Sequence, residues 1–162
     1  MPQVFDIRSV TIDDRYLTAC VRVGDEAPLT TDQDLVGTTL VYRLMPEITE
    51  HACLGDRGTT FKDAMPATEL PHLLEHVTVE LMARTGLGGE ISSGRTMPAR
   101  GAEADERCFN IQLSCPDDVL TAGALSSAAW ICEWAFNHGD ASTEPDVNAI
   151  VDGLVNLVRG VA

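Results

Sequence analysis

Apolar and polar residues alternate in part along two early stretches, Val4 to Ile12 and Tyr16 to Val23, both rich in β-branched side chains. Asp13-Asp14-Arg15 separates them, so the pattern predicts an antiparallel hairpin. A polar loop at Asp25 to Thr31 follows. Leu35, Leu40 and Leu44 then recur at helical spacing, with Thr31 or Asp32 as the expected cap and Gly37 working against the helix. Met45-Pro46 ends that element, and Pro46 to Thr60 reads as loop punctuated by Gly55 and Gly58. Phe61 to Met65 predicts one short turn.

The strongest helical signal comes next, with Leu70, Leu73, Leu74, Val77, Leu81 and Met82 on one stripe. Thr68 is its expected cap. Glu69 suits the positive end of the helix dipole, and Pro71 sits where a first-turn amide has no partner. Gly86 is the expected stop. Glu90 to Thr96 reads as a short strand and Met97 to Asp105 as a flexible connector. Cys108 to Cys115 alternates Phe109, Ile111 and Leu113 with Asn110, Gln112 and Ser114, the pattern of a half-buried strand. Pro116-Asp117-Asp118 opens an Ala-rich helix to about Phe136, closed by Asn137-His138-Gly139. Glu144-Pro145-Asp146 starts a last helix through Ile150, Leu154 and Leu157. The order of elements predicts an α+β class: one domain over residues 1–162, an antiparallel sheet with helices packed on one face.

Composition narrows the function classes. Hydrophobic residues are 44% and charged residues 22%, as in globular chains, while aromatics are only 5%, so an aliphatic core is expected. The net charge of −14 argues against nucleic acid and against anionic membranes, because both need clustered Lys and Arg. It favours a cationic partner, or it simply keeps the surface soluble. The expected partners are a peptide or cationic polymer substrate, with a homo-oligomer left open. The cysteines are Cys20, Cys53, Cys108, Cys115 and Cys132, with no CxxC pair. The N-terminus lacks a basic stretch followed by an apolar one, and no run reads as long and apolar enough to span a bilayer. A reduced, cytoplasmic protein with small core cysteines is expected.

The chemistry concentrates in His72-Leu73-Leu74-Glu75-His76. Histidines four apart share one helix face, so both imidazoles can reach one ion. Glu75 lies beside His76, where a carboxylate can face a metal-activated water without ligating the metal. HxxEH is the inverse of the HExxH order. The competing reading is a hydrogen-bonded pair without an ion. Zinc is the expected metal and needs at least one further protein ligand. Glu80 is one candidate, but it stands roughly 12 Å from residue 72 along a straight helix and more naturally orients His76. Glu133, the only acid of the apolar stretch Ala128 to Phe136, is held nearly level with it. His51, or a thiolate from Cys108, Cys115 or Cys132, stays open. Arg95 is a candidate to steady an oxyanion or a substrate carboxylate.

Several segments together resemble the N-terminal domain of cyanophycin synthetase. Leu44-Met45-Pro46-Glu47-Ile48-Thr49-Glu50-His51-Ala52-Cys53 is similar to that family's LPGLxEHxC stretch. Pro71 to Leu81 is similar to its GHVxEHVALEL helix, Gly94-Arg95-Thr96 to its GRT, and Phe109-Asn110-Ile111 to its YNVV strand. The resemblance implies a domain that holds a polymer with an Asp backbone and Arg side chains, and in some members cleaves it with a metal. These 162 residues contain neither ligase domain of that family and no P-loop, so they are not expected to polymerise. Leu54 to Gly58 departs from the family's Ser-rich text. A broader likeness to pitrilysin-type peptidases and S-ribosylhomocysteine lyase implies a third ligand late in the chain, Glu133 or a late Cys.

Overall fold

Two strands open the chain: β1 (Phe5–Ile12) pairs antiparallel with β2 (Tyr16–Val23). Asp13 fixes the turn between them, its Oδ1 accepting the N–H groups of Arg15 and Tyr16 at 2.8 Å each. A register shift between Ile7 and Ser9 marks a bulge in β1. The architecture comes from a computed structural model that describes residues 2–53, 58–89, 94–101 and 103–161. Two further strands, β3 (Arg95–Pro98) and β4 (Cys108–Ser114), complete a four-stranded antiparallel sheet in the order β1-β2-β4-β3.

Burial alternates along the strands. Leu17, Ala19, Val21 and Val23 are buried together with Phe109, Ile111 and Leu113, while Thr18, Cys20, Arg22, Asn110 and Gln112 face the other side. One face of the sheet is therefore apolar, and the helices cover it. They are α1 (Leu35–Leu44), α2 (Phe61–Ala64), α3 (Leu70–Thr85), α4 (Asp118–Phe136) and α5 (Val147–Val161). Helix α3 lies on β2, β3 and β4, α4 lies on β1 and β2, α1 packs on α4, and α5 packs on both α3 and α4. Leu73, Leu74, Val77 and Leu81 meet Ile111, Leu113, Leu120, Ala124, Ala128 and Ile131 in one core. Each fully buried Leu or Ile there contributes roughly 1.5–3 kcal/mol. This is the α+β arrangement the sequence order predicts.

Several details differ from the sequence reading. Helix α1 is capped by Asp34, whose Oδ1 accepts the Gly37 N–H at 2.9 Å. Thr31 and Asp32 are instead used in a preceding 3-10 turn, Thr31–Gln33. Helix α3 starts at Leu70 with Glu69 at the cap position, so the Thr68 hydroxyl is free to serve the site below. Gly86 ends it at φ +66°, a left-handed stop that suits glycine. Met97 and Pro98, expected in a connector, belong to β3. Of the expected strand Glu90 to Thr96, positions 90–93 lie outside the described residues, as do 54–57 of the loop. Helix α4 is long and apolar enough to cross a bilayer, contrary to expectation, but here 56% of that stretch is buried against the core.

Gly37 sets how closely α1 approaches α4. A Cβ at this position would collide with the buried ring of Phe136. Gly37→Ala gains about 1 kcal/mol of helix propensity and loses about 1–3 kcal/mol to overpacking. The expected net result is destabilisation, read as a lower urea midpoint with an unchanged slope.

Candidate metal centre

Helix α3 carries His72 and His76 on one face, and their Nε2 atoms stand 3.2 Å apart. A third group approaches from the segment before α2. Cys53 is fixed by its N–H donating to Thr59 O at 3.0 Å, and the Phe61 N–H donates to His51 O at 2.9 Å. Cys53 Sγ then lies 3.5 Å from His72 Nε2, and the three ligand atoms fall within 4.8 Å of one another. The ring of Phe61 stacks on His76 at 4.0 Å and meets His72 edge-on at 5.1 Å, which limits rotation of both imidazoles.

The group fits a metal ion. Zinc–nitrogen bonds of about 2.0–2.1 Å and zinc–sulfur bonds of about 2.3 Å, set at the tetrahedral angle, separate two nitrogens by about 3.3–3.4 Å and a nitrogen from sulfur by about 3.5–3.6 Å. The corresponding distances here are 3.2 and 3.5 Å. Two imidazoles and a thiol make three protein ligands, the number that leaves one position for water or substrate. Burial lowers the pKa of His72. Burial, reinforced by His72 and His51, pushes that of His76 down to about 2. Both rings are thus held neutral, the form that has a lone pair to give.

Glu75 stands beside this group. Its Oε2 lies 3.7 Å from His76 Nε2, and its Oε1 accepts the Thr96 hydroxyl at 2.7 Å. Burial raises its pKa to about 7, against the opposing effect of the Thr96 bond. Position 94 has to be small: a Cβ there would stand 2.7 Å from Glu75 Cγ.

The other candidates go elsewhere. Glu80 Oε1 lies 2.8 Å from His51 Nε2, and its Oε2 accepts Arg84 Nε–H at 2.8 Å. His51 has its second nitrogen 3.1 Å from His76 Nδ1, so it meets the three-ligand group through the far nitrogen of His76 rather than joining it. Glu133 is directed to the backbone at the start of β1. Its carboxylate accepts the N–H of Val4 at 2.8 Å and that of Phe5 at 3.0 Å, which pins the start of β1. Arg95 is exposed. Strand alternation puts it on the sheet face opposite Thr96 and Glu75, so it does not address the centre. Cys108 lies near Asp105 at 3.4 Å and Cys115 near Asp118 at 3.6 Å. Cys132 is fully buried in α4, and burial drives its thiol pKa far up. Cys53 is the candidate ligand that residue reasoning missed. Its signal was proximity to His51 in the Glu50-His51-Ala52-Cys53 stretch.

Glu133→Ala is expected to strand two amide N–H groups, at a cost on the order of 2 kcal/mol. Urea unfolding measures that cost. Metal binding by the same variant should match wild type, because the carboxylate lies outside the centre.

A cleft of about 600 Å³ opens over Cys53 and His72, and Thr30, Asp32, Glu69 and Thr96 also line it. Its mouth therefore carries two carboxylates beside the candidate ligands. A family model described as the cyanophycin synthase-like N-terminal domain matches residues 22–133. No curated protein matches the chain. The matched span is more than half of the sequence and takes in β3, β4 and every segment that supplies the centre, so the chain belongs to the family of cyanophycin synthase-like N-terminal domains.

Proposed function

We propose that this domain is a zinc-dependent hydrolase of peptide or amide bonds, built on the plan of HxxEH metallohydrolases. The observation that carries the reading is the convergence of Cys53, His72 and His76, with the Glu75 carboxylate 3.7 Å from His76 and outside the ligand set. Cys53, His72 and His76 would hold the ion. When bound, zinc would acidify a water and polarise the scissile carbonyl. Glu75 is placed to take the proton of the attacking water as the C–O bond forms, and to return it to the leaving amine nitrogen as the C–N bond breaks. A carboxyl whose pKa sits near neutrality suits both halves of that exchange. Thr96 holds the other oxygen of Glu75 and so aims the free one. Arg95 has no part in this reading, since it sits on the far face of the sheet.

Asp32 and Glu69 at the cleft, within a chain of net charge −14, favour a cationic substrate such as an Arg-bearing peptide or polymer. The same acids support a second reading, a non-catalytic module that binds such a polymer or a partner ligase. Incubation of the zinc-loaded protein with a peptide panel and an Arg-rich Asp polymer separates the two. Cleavage by wild type that is lost in Glu75→Gln supports the hydrolase. Salt-sensitive binding without cleavage of any member supports the module instead.

A further inference from the structure

We infer that each histidine of the centre is held by a relay ending on a carboxylate, Glu80 through His51 for His76 and Glu69 through Thr68 for His72, and that the two relays turn both Nε2 lone pairs toward the same point. The inference rests on the zinc reading for its purpose but not for its geometry. The first relay runs outward from His76. His76 Nδ1 is 3.1 Å from His51 Nδ1, and His51 Nε2 is 2.8 Å from Glu80 Oε1. Glu80 is anchored in turn by Arg84, which donates to it at 2.8 Å and to Glu47 at 2.6 Å.

Each link has a direction. An ionised carboxylate only accepts, so His51 Nε2 carries the hydrogen. With its hydrogen on Nε2, the His51 ring presents a lone pair at Nδ1, which accepts from His76 Nδ1–H. His76 Nε2 is left bare, on the side that faces His72. The second relay reaches the same result by a different route. The Thr68 hydroxyl donates its single hydrogen to Glu69 Oε2 at 3.3 Å. A carboxylate has no hydrogen to offer and an imidazole has, so the hydroxyl hydrogen is assigned to Glu69 and the same oxygen accepts from His72 Nδ1, 2.9 Å away. The hydrogen sits on His72 Nδ1, and His72 Nε2 is bare as well.

Two bare nitrogens now face each other at 3.2 Å with the Cys53 sulfur beside them. With no hydrogen between them the lone pairs repel, and a cation relieves that repulsion. An ion-free hydrogen-bonded pair of rings would need one of the two relays to run backwards. Fixing a ligand histidine through its second nitrogen is what partners of metal-bound imidazoles do. The unusual part here is the interposed His51, a positioning residue that lets Glu80 act on His76 from one turn along the helix.

Long-range proton–nitrogen NMR on the metal-free, ¹⁵N-labelled protein reads the tautomers directly. Hydrogen on His51 Nε2 and on Nδ1 of both His72 and His76 is the expected result. Hydrogen on His51 Nδ1, or on Nε2 of either His72 or His76, overturns the inference. Glu80→Gln tests the direction in a side chain of the same size. Arg84 always donates, so it claims the amide oxygen and leaves the NH₂ facing His51. The relay then reverses and places a hydrogen on His76 Nε2. Zinc affinity, measured by competition with a chelator, is expected to fall roughly 10–100-fold while the circular dichroism spectrum is unchanged. Unchanged tautomers and unchanged affinity in Glu80→Gln overturn the inference. Expected tautomers in a wild type that binds no zinc would sink the zinc reading alone. Zinc binding with reversed tautomers would sink the relays alone.

Discussion

Under the proposed hydrolase reading, Glu75→Gln is expected to cut hydrolysis by orders of magnitude and, in the metal-free domain, to raise stability above neutral pH. The loss of activity follows from removing the proton acceptor, an effect of about 10²–10⁴-fold when a general base is deleted. The gain in stability follows from the same burial that tunes the base. The Glu75 pKa is raised to about 7 in the fold, against an ordinary value of 4.5. Between those two values the folded chain keeps a proton that the unfolded chain has released. Stability contributed by this group therefore falls as pH rises through that window, and the full penalty is present above about pH 7. Its size is on the order of 3 kcal/mol at most. A glutamine has no charge to desolvate, and its oxygen can still accept the Thr96 hydroxyl. Urea unfolding of the two metal-free proteins should show the variant more stable at about pH 8 and the gap closed at about pH 4.5. A variant less stable than wild type at the higher pH would contradict the account. A substitution that inactivates while it stabilises is the mark of a residue kept for chemistry rather than for folding.

Removing a ligand should abolish the dependence of stability on zinc. An ion that binds only the folded chain adds about 4 kcal/mol at a thousandfold excess over its Kd. In a domain of this size that corresponds to a rise of roughly 10 °C in Tm. Wild type should show this rise with added zinc and lose it with a chelator. His76→Ala should show neither response, because His72 and Cys53 alone do not make a three-ligand set. Cys53→Ser should show a much smaller response, since a neutral hydroxyl replaces a thiolate. An undiminished zinc response in His76→Ala would place the ion elsewhere.

The parts of this fold that were legible in the sequence are those whose patterns are local. The hairpin of β1 and β2, the alternating strand β4 and the apolar stripe of α3 each repeat their signal over several residues. The end of α3 was equally plain, because a glycine closing an apolar run has one common use. The cap of α1 was read on the wrong residue, because four polar side chains in a row, Thr31 to Asp34, compete for one role. Only the 3-10 turn Thr31–Gln33 decides that it falls to Asp34. Strand β3 is short and edge-placed, and at four residues it has too few alternations to fix its bounds, so the strand expected at Glu90 to Thr96 covers only Arg95 and Thr96 of it.

The site divides in the same way. His72, Glu75 and His76 sit on one helix, so their meeting is a matter of spacing. Cys53 comes from a segment 19 residues earlier, and its approach depends on how the chain before α2 packs against α3. Glu133 looked like a ligand because it is a lone acid in an apolar helix. The partners that explain it, the amides of Val4 and Phe5, are about 130 residues away in sequence. Arg95 was put forward for its charge, whereas its side of β3 depends on strand register. Glu80 was kept as a candidate ligand nearly level with Glu133, although its distance along the helix from His72 counted against it. What spacing alone did not reveal was His51 standing between Glu80 and His76.

Zinc K-edge X-ray absorption on the protein loaded with one equivalent of zinc tests the central claim most directly. The account predicts one sulfur at about 2.3 Å and two imidazole nitrogens at about 2.0–2.1 Å, with a light-atom scatterer completing the shell and the sulfur lost in Cys53→Ser. A shell of nitrogen and oxygen alone, or one that keeps its sulfur in Cys53→Ser, would contradict it.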